Sequence, residues 1–332
     1  MIFIKKNDSK QIKNIHIKNC EIFYYLKIII FILIFDIIIK TKKNFIELKE
    51  NVTFDKDFDY INYQSNIITN KIKKYSGWML WNTKQINFIN GIIRKFRPKK
   101  CLEVGVARGG SSILILNAIK DIKNSFLVSL DLNTKLYINQ KEKTGYRVKK
   151  YFPELVRKWS LFTGEMPNFF LQKLNMTFDL VFLDTAHISP GEIMNLIEIL
   201  PFLNENAIII LHDITWHFIR MKYQKKRIQF TATQIYLMSC LYGEKIIVKN
   251  NEGLENIGAV YLYKNQKRFY LNYFLLLLSY WEYMPNEKQI NEFKEFIKKY
   301  YHKTLYLKIF DQAVKNNKLF INKYYKSINY KK

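Results

Sequence analysis

The chain has 332 residues, of which 48% are hydrophobic, so it can bury a substantial core, and a disordered, collagen-like or small disulfide-stapled protein is excluded. Its three cysteines, Cys20, Cys101 and Cys240, lie far apart without a metal-ligand spacing, which favours a reducing compartment. The formal net charge is +26, but only eight of the 54 basic residues are Arg. Because Arg is the residue best suited to reading bases, the charge indicates solvated lysine surfaces rather than nucleic-acid recognition.

An apolar stretch is the first element along the chain. Between Ile22 and Ile39 the only charged residues are Lys27 and Asp36, and the stretch is long enough to cross a bilayer. Two interpretations stay open for residues 1–45: a membrane anchor, or a hydrophobic helix buried in the protein or lying on its surface. We therefore expect a cytoplasmic protein, attached to the cytoplasmic face of a membrane if the stretch inserts.

A connecting region of mixed charge, residues 46–77, precedes the part of the chain in which helical patterns alternate with short apolar runs. The predicted helices are Gln85–Phe96, Ser111–Ile122, Met166–Leu174, Gly191–Leu200 and Thr231–Leu241. The predicted strands are Cys101–Val106, Phe126–Asp131, a strand before Gly164, Phe178–Asp184, Ala207–His212, Lys245–Lys249 and Gly258–Tyr263. This alternation predicts an α/β fold over residues 78–265, a Rossmann-like, doubly wound, mostly parallel sheet of seven strands.

Two further segments complete the predicted organisation. Asn133–Trp159 is longer than an ordinary connection, and long insertions at the carboxyl edge of a parallel sheet often form lids or substrate walls. Residues 266–332 carry apolar side chains at helical spacing and predict a C-terminal helical extension.

The most informative segment, residues 101–112, runs from an apolar strand through glycines into a helix. Glycines permit a sharp bend and close approach of a ligand, and a helix start offers free backbone N–H groups. A dinucleotide-binding turn has glycine where this chain has Ala107, and Glu103 would repel a pyrophosphate. Glu103 suits instead the cationic amino-acid end of S-adenosylmethionine, while Asp131 is placed to bind the hydroxyls of a ribose in either cofactor class.

These residues resemble the class I S-adenosylmethionine-dependent methyltransferases, whose motif reads Glu/Asp-x-Gly-x-Gly-x-Gly. The matching positions are Glu103, Gly105, Ala107 and Gly109. Residues 178–187 and 206–213 resemble the later motifs of the same fold. The similarity covers about residues 77–265 and is greatest to a bacterial subgroup related to macrocin-type sugar O-methyltransferases and cephalosporin-hydroxylase-like proteins.

The resemblance implies S-adenosylmethionine as cofactor and assigns roles by position. It places Glu103, Gly105 and Gly109 at the methionine end, Asp131 at the ribose, and Gly164, Glu165 and Met166 beside the adenine. Ala107, Gly110 and Ser111 complete the implied cofactor-binding set.

Four polar residues at strand ends are the candidates for catalysis. Asp184 would lie below the transferred methyl group, and His187 is close to it in sequence. Relatives that bind a divalent metal often carry an acidic pair where this chain has His212 and Asp213. Two catalytic alternatives therefore stay open: a base formed by Asp184 and His187, or a metal such as Mg²⁺ held by Asp184, His212 and Asp213.

The predicted function is methylation of a hydroxyl oxygen on a small molecule or glycan. Two alternatives are retained: a nicotinamide-dependent oxidoreductase, and a membrane-tethered interaction protein that keeps the fold without catalysis. Nucleic-acid amino-methylation is disfavoured, since enzymes of that kind carry an Asn/Asp-Pro-Pro-aromatic motif where this chain reads Asp184-Thr-Ala-His187. The oligomeric state stays open, and Trp78, Trp81 and Trp216 are candidates for the pocket wall.

Overall fold

The computed structural model describes residues 45–48, 83–136, 139–216, 233–250 and 253–329. All of them belong to one compact unit that spans residues 44–332. The apolar stretch Ile22–Ile39, Trp78 and Trp81 lie outside the described residues. Among the described helices, none combines the length and the apolar character needed to cross a membrane.

The described strands form one large sheet and one small hairpin. In chain order they are β1 Phe45–Leu48, β2 Lys100–Val104, β3 Phe126–Asp131, β4 Lys135–Leu136, β5 Asn139–Lys143, β6 Trp159–Thr163, β7 Phe178–Leu183, β8 Leu203–His212, β9 Gly243–Asn250 and β10 Gly253–Leu262. The large sheet has the order β1-β9-β10-β8-β7-β2-β3-β6, and β4 pairs with β5.

The described α-helices lie between these strands and after them. They are α1 Thr83–Phe96, α2 Gly110–Ile119, α3 Tyr146–Tyr151, α4 Pro167–Leu174, α5 Gly191–Ile199, α6 Thr233–Cys240, α7 Tyr270–Leu275, α8 Glu287–Tyr301 and α9 Thr304–Asn329. The helices α1 and α2 pack together, and α5 contacts α4, α6 and α8.

Five strands of the sheet, β6, β3, β2, β7 and β8, run parallel. Among the described strands of this sheet, β10 alone runs antiparallel to both of its neighbours, β8 and β9. The central strands are continuous apolar runs, such as Leu180–Leu183, because helices bury both faces of a parallel sheet. Since parallel strands end at the same edge, the loops after β2, β3, β6, β7 and β8 meet there.

The predicted seven-stranded, mostly parallel α/β fold with a C-terminal helical region is confirmed. An eighth strand, β1, also joins the edge of the sheet, where it runs parallel to β9. It spans the boundary between the predicted N-terminal segment 1–45 and the connecting region 46–77. The sequence did not predict this strand, because four residues are too few to produce a readable alternation. The insertion after β3 contains the β4–β5 hairpin, α3 and a 3₁₀ helix over Pro153–Lys158.

Candidate active site

A cleft of about 660 Å³ opens at the carboxyl edge of the parallel strands. Its walls come from the turn after β2, the loops after β3, β6 and β7, the end of β8 and the segment that leads into α8. Ligand sites of open α/β sheets form at this edge, and cavities of this size bind ligands as large as cofactors.

The turn after β2 has a left-handed backbone at three positions. Gly105 has φ +92, and a Cβ added there would lie 1.8 Å from the carbonyl oxygen of Asp184. Ala107 has φ +45. Gly109 has φ +90 and packs against Val148 and Gly145 rather than lining the cleft. Position 105 thus requires glycine because the ends of β2 and β7 lie too close together for a side chain. Position 109 requires glycine because its backbone is left-handed.

The helix α2 begins at the cleft. Gly110 and Ser111, its first two residues, both line the cavity. A Cβ added to Gly110 would meet no other atom within 4 Å, so this helix start is open to a ligand. The first N–H groups of a helix have no partner within the helix, and they favour an anionic group.

Glu103 lies directly beneath this turn and is completely buried. Its carboxylate accepts hydrogen bonds from the hydroxyls of Ser111 at 2.5 Å, Ser112 at 2.6 Å and Ser129 at 2.5 Å. Burial raises the pKa of Glu103 to about 7, although the three serine hydrogen bonds act in the opposite direction. Glu103 does not itself line the cleft. Its hydrogen bond fixes the side chain of Ser111, which does line the cleft.

Asp131, at the end of β3, lines the cleft and also organises the turn. One carboxylate oxygen accepts hydrogen bonds from the backbone N–H groups of Val106 at 2.9 Å and Ala107 at 3.0 Å. The other oxygen accepts from the N–H of Asn133 at 2.8 Å. A carboxylate has about four acceptor positions, so Asp131 retains capacity for a ligand.

The loop after β6 forms the next part of the wall. Gly164 has φ +101 and donates its N–H to the carbonyl of Asp131 at 3.0 Å. It does not itself line the cleft, whereas Glu165 and Met166 do. The sequence-predicted cofactor residues that reach the cavity are Gly105, Ala107, Gly110, Ser111, Asp131, Glu165 and Met166.

All four predicted catalytic and metal residues line the cleft and lie close together. His212 Nδ1 lies 3.3 Å from Asp184 Oδ1 and 3.5 Å from Asp213 Oδ2. His187 Nδ1 lies 3.1 Å from the same Asp213 oxygen, and its Nε2 is 3.7 Å from Asp184 Oδ1. The structure thus brings together side chains from the ends of β7 and β8 as an alternating set of imidazoles and carboxylates.

Three residues that the sequence did not indicate hold this cluster in place. Glu192 is fully buried on α5 and accepts the backbone N–H of His187 at 2.6 Å. The side-chain amide of Asn256, on β10, donates to the Asp213 carboxylate, and the main-chain carbonyl of Asn256 accepts the Asp213 N–H at 2.9 Å. The Oε1 atom of Gln85, in α1, lies 3.3 Å from Nε2 of His212.

The charges of the cluster set its protonation. Burial disfavours the cationic form of His187, but the hydrogen bond to Glu192 and the negative charges of Asp184 and Asp213 raise its pKa to about 9. Burial opposes the cation of His212 too, yet Asp184 and Asp213 raise its pKa to about 10. Both imidazoles are therefore cationic near neutral pH. Although burial acts in the opposite direction, the hydrogen bond from His212 and the positive charges of both imidazoles lower the pKa of Asp213.

The same cluster contains a set of donor atoms suited to a metal. One donor atom from each of Asp184, His212 and Asp213 lies within 4.8 Å of the others. Two carboxylate oxygens and one imidazole nitrogen suit Mg²⁺, Mn²⁺ or Fe²⁺. The residues present thus fit a divalent ion, provided that His212 first loses its proton.

Residues 102–214 match the family model described as "Methyltransferase domain". The matched part, about a third of the chain, runs from β2 to just after β8 and includes the glycine turn and the Asp–His cluster. Over these residues the chain is similar to methyltransferase domains. No curated protein matches the chain.

Several solved structures are similar to the protein at low identity. The O-methyltransferase TomG from Streptomyces achromogenes, in complex with S-adenosylmethionine, is 13% identical, with 64% of this chain and 99% of that chain covered and a TM-score of 0.44. An O-methyltransferase from Bacillus cereus with S-adenosylhomocysteine is 14% identical, with 64% and 93% covered and a TM-score of 0.42. The methyltransferase PaMTH1 from Podospora anserina is 19% identical, with 52% and 74% covered and a TM-score of 0.38. Similarity at this level defines no substrate for the chain.

Proposed function

We propose that the protein is an S-adenosylmethionine-dependent methyltransferase that methylates a hydroxyl oxygen of a small molecule or glycan. The observation that carries this proposal is the cleft itself. The glycine turn and the open helix start line it, and so do Asp184, His187, His212 and Asp213, which end or follow the adjacent strands β7 and β8. The family match to residues 102–214 supports the methyltransferase part of this proposal.

The residues of the cleft fit this cofactor in three parts. The N–H groups of Gly110 and Ser111 would hold the carboxylate of the methionine end. The free acceptor capacity of Asp131 would bind the ribose hydroxyls. The adenine would lie beside Glu165 and Met166, the two residues of the β6 loop that reach the cavity. Glu103 would act from beneath the turn, where its negative charge favours the cationic amine of the same ligand.

The Asp–His cluster is proposed to prepare the acceptor hydroxyl. S-adenosylmethionine, when bound, supplies an electrophilic methyl group. A hydroxyl is a weak nucleophile, so a base must take up its proton as the new carbon–oxygen bond forms. Asp184 is the suitable base, since its side chain is 20% exposed toward the cleft while His212 is only 5% exposed. The protonated His187 would orient the Asp184 carboxylate.

A divalent metal is the second candidate for this step. Asp184, His212 and Asp213 would hold it, and it would supply a Lewis acid that lowers the pKa of a bound hydroxyl. In that case His187, paired with Asp213 through Nδ1, would orient a metal ligand instead of the base.

Calorimetric titration of the purified full-length protein with S-adenosylhomocysteine tests the cofactor assignment. Binding of S-adenosylhomocysteine without binding of NADH is the expected result. The reverse selectivity would establish the nicotinamide-dependent alternative, and binding of neither ligand would favour an interaction protein without catalysis. Transfer of a labelled methyl group to a panel of methyl glycosides and phenols would then identify the acceptor class.

A further inference from the structure

The C-terminal extension supplies part of the cleft wall, although it lies outside the segment that matches the methyltransferase family. Tyr283, Pro285 and Gln289 all line the cavity. They follow the last strand of the sheet, β10, and belong to the segment that leads into α8 and to its first turn. The site is therefore completed by residues to which neither the sequence motifs nor the family match assigns a role.

This wall is held firmly by hydrogen bonds behind it. The N–H of Trp281 donates to Asn317 Oδ1 of α9 at 2.8 Å, and the N–H of Glu282 donates to the carbonyl of Ser189 at 2.8 Å. Asn286 caps α8 by accepting the Gln289 N–H at 2.9 Å. The segment thus has a fixed position before any ligand arrives, which lowers the cost of binding.

Two contacts join the first turn of α8 to the loop after β6. Lys288 Nζ lies 2.9 Å from Glu165 Oε2, and Gln289 Nε2 lies 3.6 Å from Met166 Sδ. The ion pair is exposed and adds little to stability. The two contacts nevertheless place Gln289 directly beside the two residues proposed to flank the adenine.

The orientation of the Gln289 carboxamide follows from its partners. Its Oε1 accepts the backbone N–H of Asn286 at 3.0 Å, which completes the capping box and turns Nε2 toward Met166 and the cleft. A carboxamide nitrogen has two hydrogens, and a thioether sulfur is a weak acceptor. Gln289 Nε2 therefore retains donor capacity at the cavity surface.

We propose that Gln289 is a cofactor-binding residue of the C-terminal extension and that its Nε2 donates a hydrogen bond to a ring nitrogen of the adenine. The inference rests on the proposed function, because the position of the adenine beside Glu165 and Met166 comes from it. The extension then acts as an integral part of the cofactor site.

Gln289→Glu tests this contact with little change to the helix. A glutamate at this position still accepts the Asn286 N–H in a capping box, but it cannot donate to a ring nitrogen. Titrated with S-adenosylhomocysteine, the variant is expected to bind about five- to tenfold more weakly than the wild type, the loss of one hydrogen bond. The matched control, Asn286→Ala, removes the cap side chain but keeps the Gln289 amide. It should lower the melting temperature and leave the dissociation constant within about twofold of the wild type.

The outcomes separate the inference from the function on which it rests. A wild-type protein that does not bind S-adenosylhomocysteine refutes the proposed function. Wild-type binding together with unchanged affinity in Gln289→Glu overturns the adenine contact. Equal weakening in Gln289→Glu and Asn286→Ala would attribute the effect to helix stability and also overturn it. If Gln289→Glu does not fold, Gln289→Met takes its place, because it removes the donor without introducing a charge.

Discussion

Substitution of Gly105 is expected to destabilise the protein strongly. A Cβ added there would lie 1.8 Å from the carbonyl oxygen and 2.7 Å from the carbonyl carbon of Asp184, and the backbone has φ +92. Both atoms are main chain, so no rotamer change relieves the clash. The left-handed conformation alone costs a non-glycine residue about 1–3 kcal/mol, and separating the ends of β2 and β7 adds to this. We expect Gly105→Ala to lower the free energy of unfolding by at least about 3 kcal/mol.

The matched control is Gly110→Ala, five residues along the same turn. An added Cβ there meets nothing within 4 Å, and the residue is the first of α2, so alanine is expected to leave the stability unchanged or raise it by up to about 1 kcal/mol. Chemical denaturation of both variants, followed by circular dichroism, measures the difference. Because Gly110 lines the cleft, Gly110→Ala should bind S-adenosylhomocysteine more weakly than the wild type, although its stability is not lowered. Equal stability of the two variants would contradict this reasoning, because it would mean that the Asp184 carbonyl leaves room for a Cβ at position 105.

Three further predictions concern the charged groups. Asp184→Asn is expected to lower turnover of an identified acceptor about 10²–10⁴-fold while S-adenosylhomocysteine binds as in the wild type; comparable loss of cofactor affinity would instead give Asp184 a binding role. The pKa of Glu103 is raised from 4.5 to about 7 in the folded state. Between these two pH values the folded protein therefore keeps a proton on Glu103 that the unfolded chain has released. Its contribution to stability is therefore complete below about pH 4.5 and is lost as the pH rises through 7. Glu103→Gln should flatten this part of the stability profile measured by denaturant titration, and an unchanged slope would contradict the assignment. Finally, calorimetric titration with Mn²⁺ should show binding to the wild type and none to His212→Ala. Absence of heat on titration of the wild type would contradict the metal site and favour Asp184 as a base without a metal.

The sequence predicted the parts of the site that follow directly from strand ends. Asp131, Asp184 and His212 each terminate or follow a parallel strand, and the topology of a parallel sheet brings such positions to one edge. The glycine turn was readable for the same reason, because strand, bend and helix are contiguous. Fold class and the location of the cleft were therefore accessible from local patterns alone.

The residues that the sequence did not reveal reach the site through tertiary packing. Gln85 meets His212 from 127 positions away, and Asn256 meets Asp213 from 43 positions away. Neither lies in a pattern that differs from an ordinary helix or strand surface. Glu103 shows the converse: its place at the strand end was predicted, but its hydrogen bond from Ser129 was not, because Ser129 belongs to a different strand. A sequence pattern defines which groups reach an edge, and packing defines which of them face the ligand.

The Asp–His cluster illustrates how the surrounding protein maintains an unfavourable local geometry. His187 and Asp213 both have a left-handed backbone, with φ 56 and φ 58, which is uncommon for residues with a side chain. Each is held there by a partner that does not line the cleft: Glu192 accepts the His187 N–H, and Asn256 binds both the backbone and the carboxylate of Asp213. The hydrogen bonds of these supporting residues offset the backbone strain, and the supporting side chains do not occupy the cleft. The candidate catalytic residues thus face the cleft, while their backbone geometry depends on residues behind them.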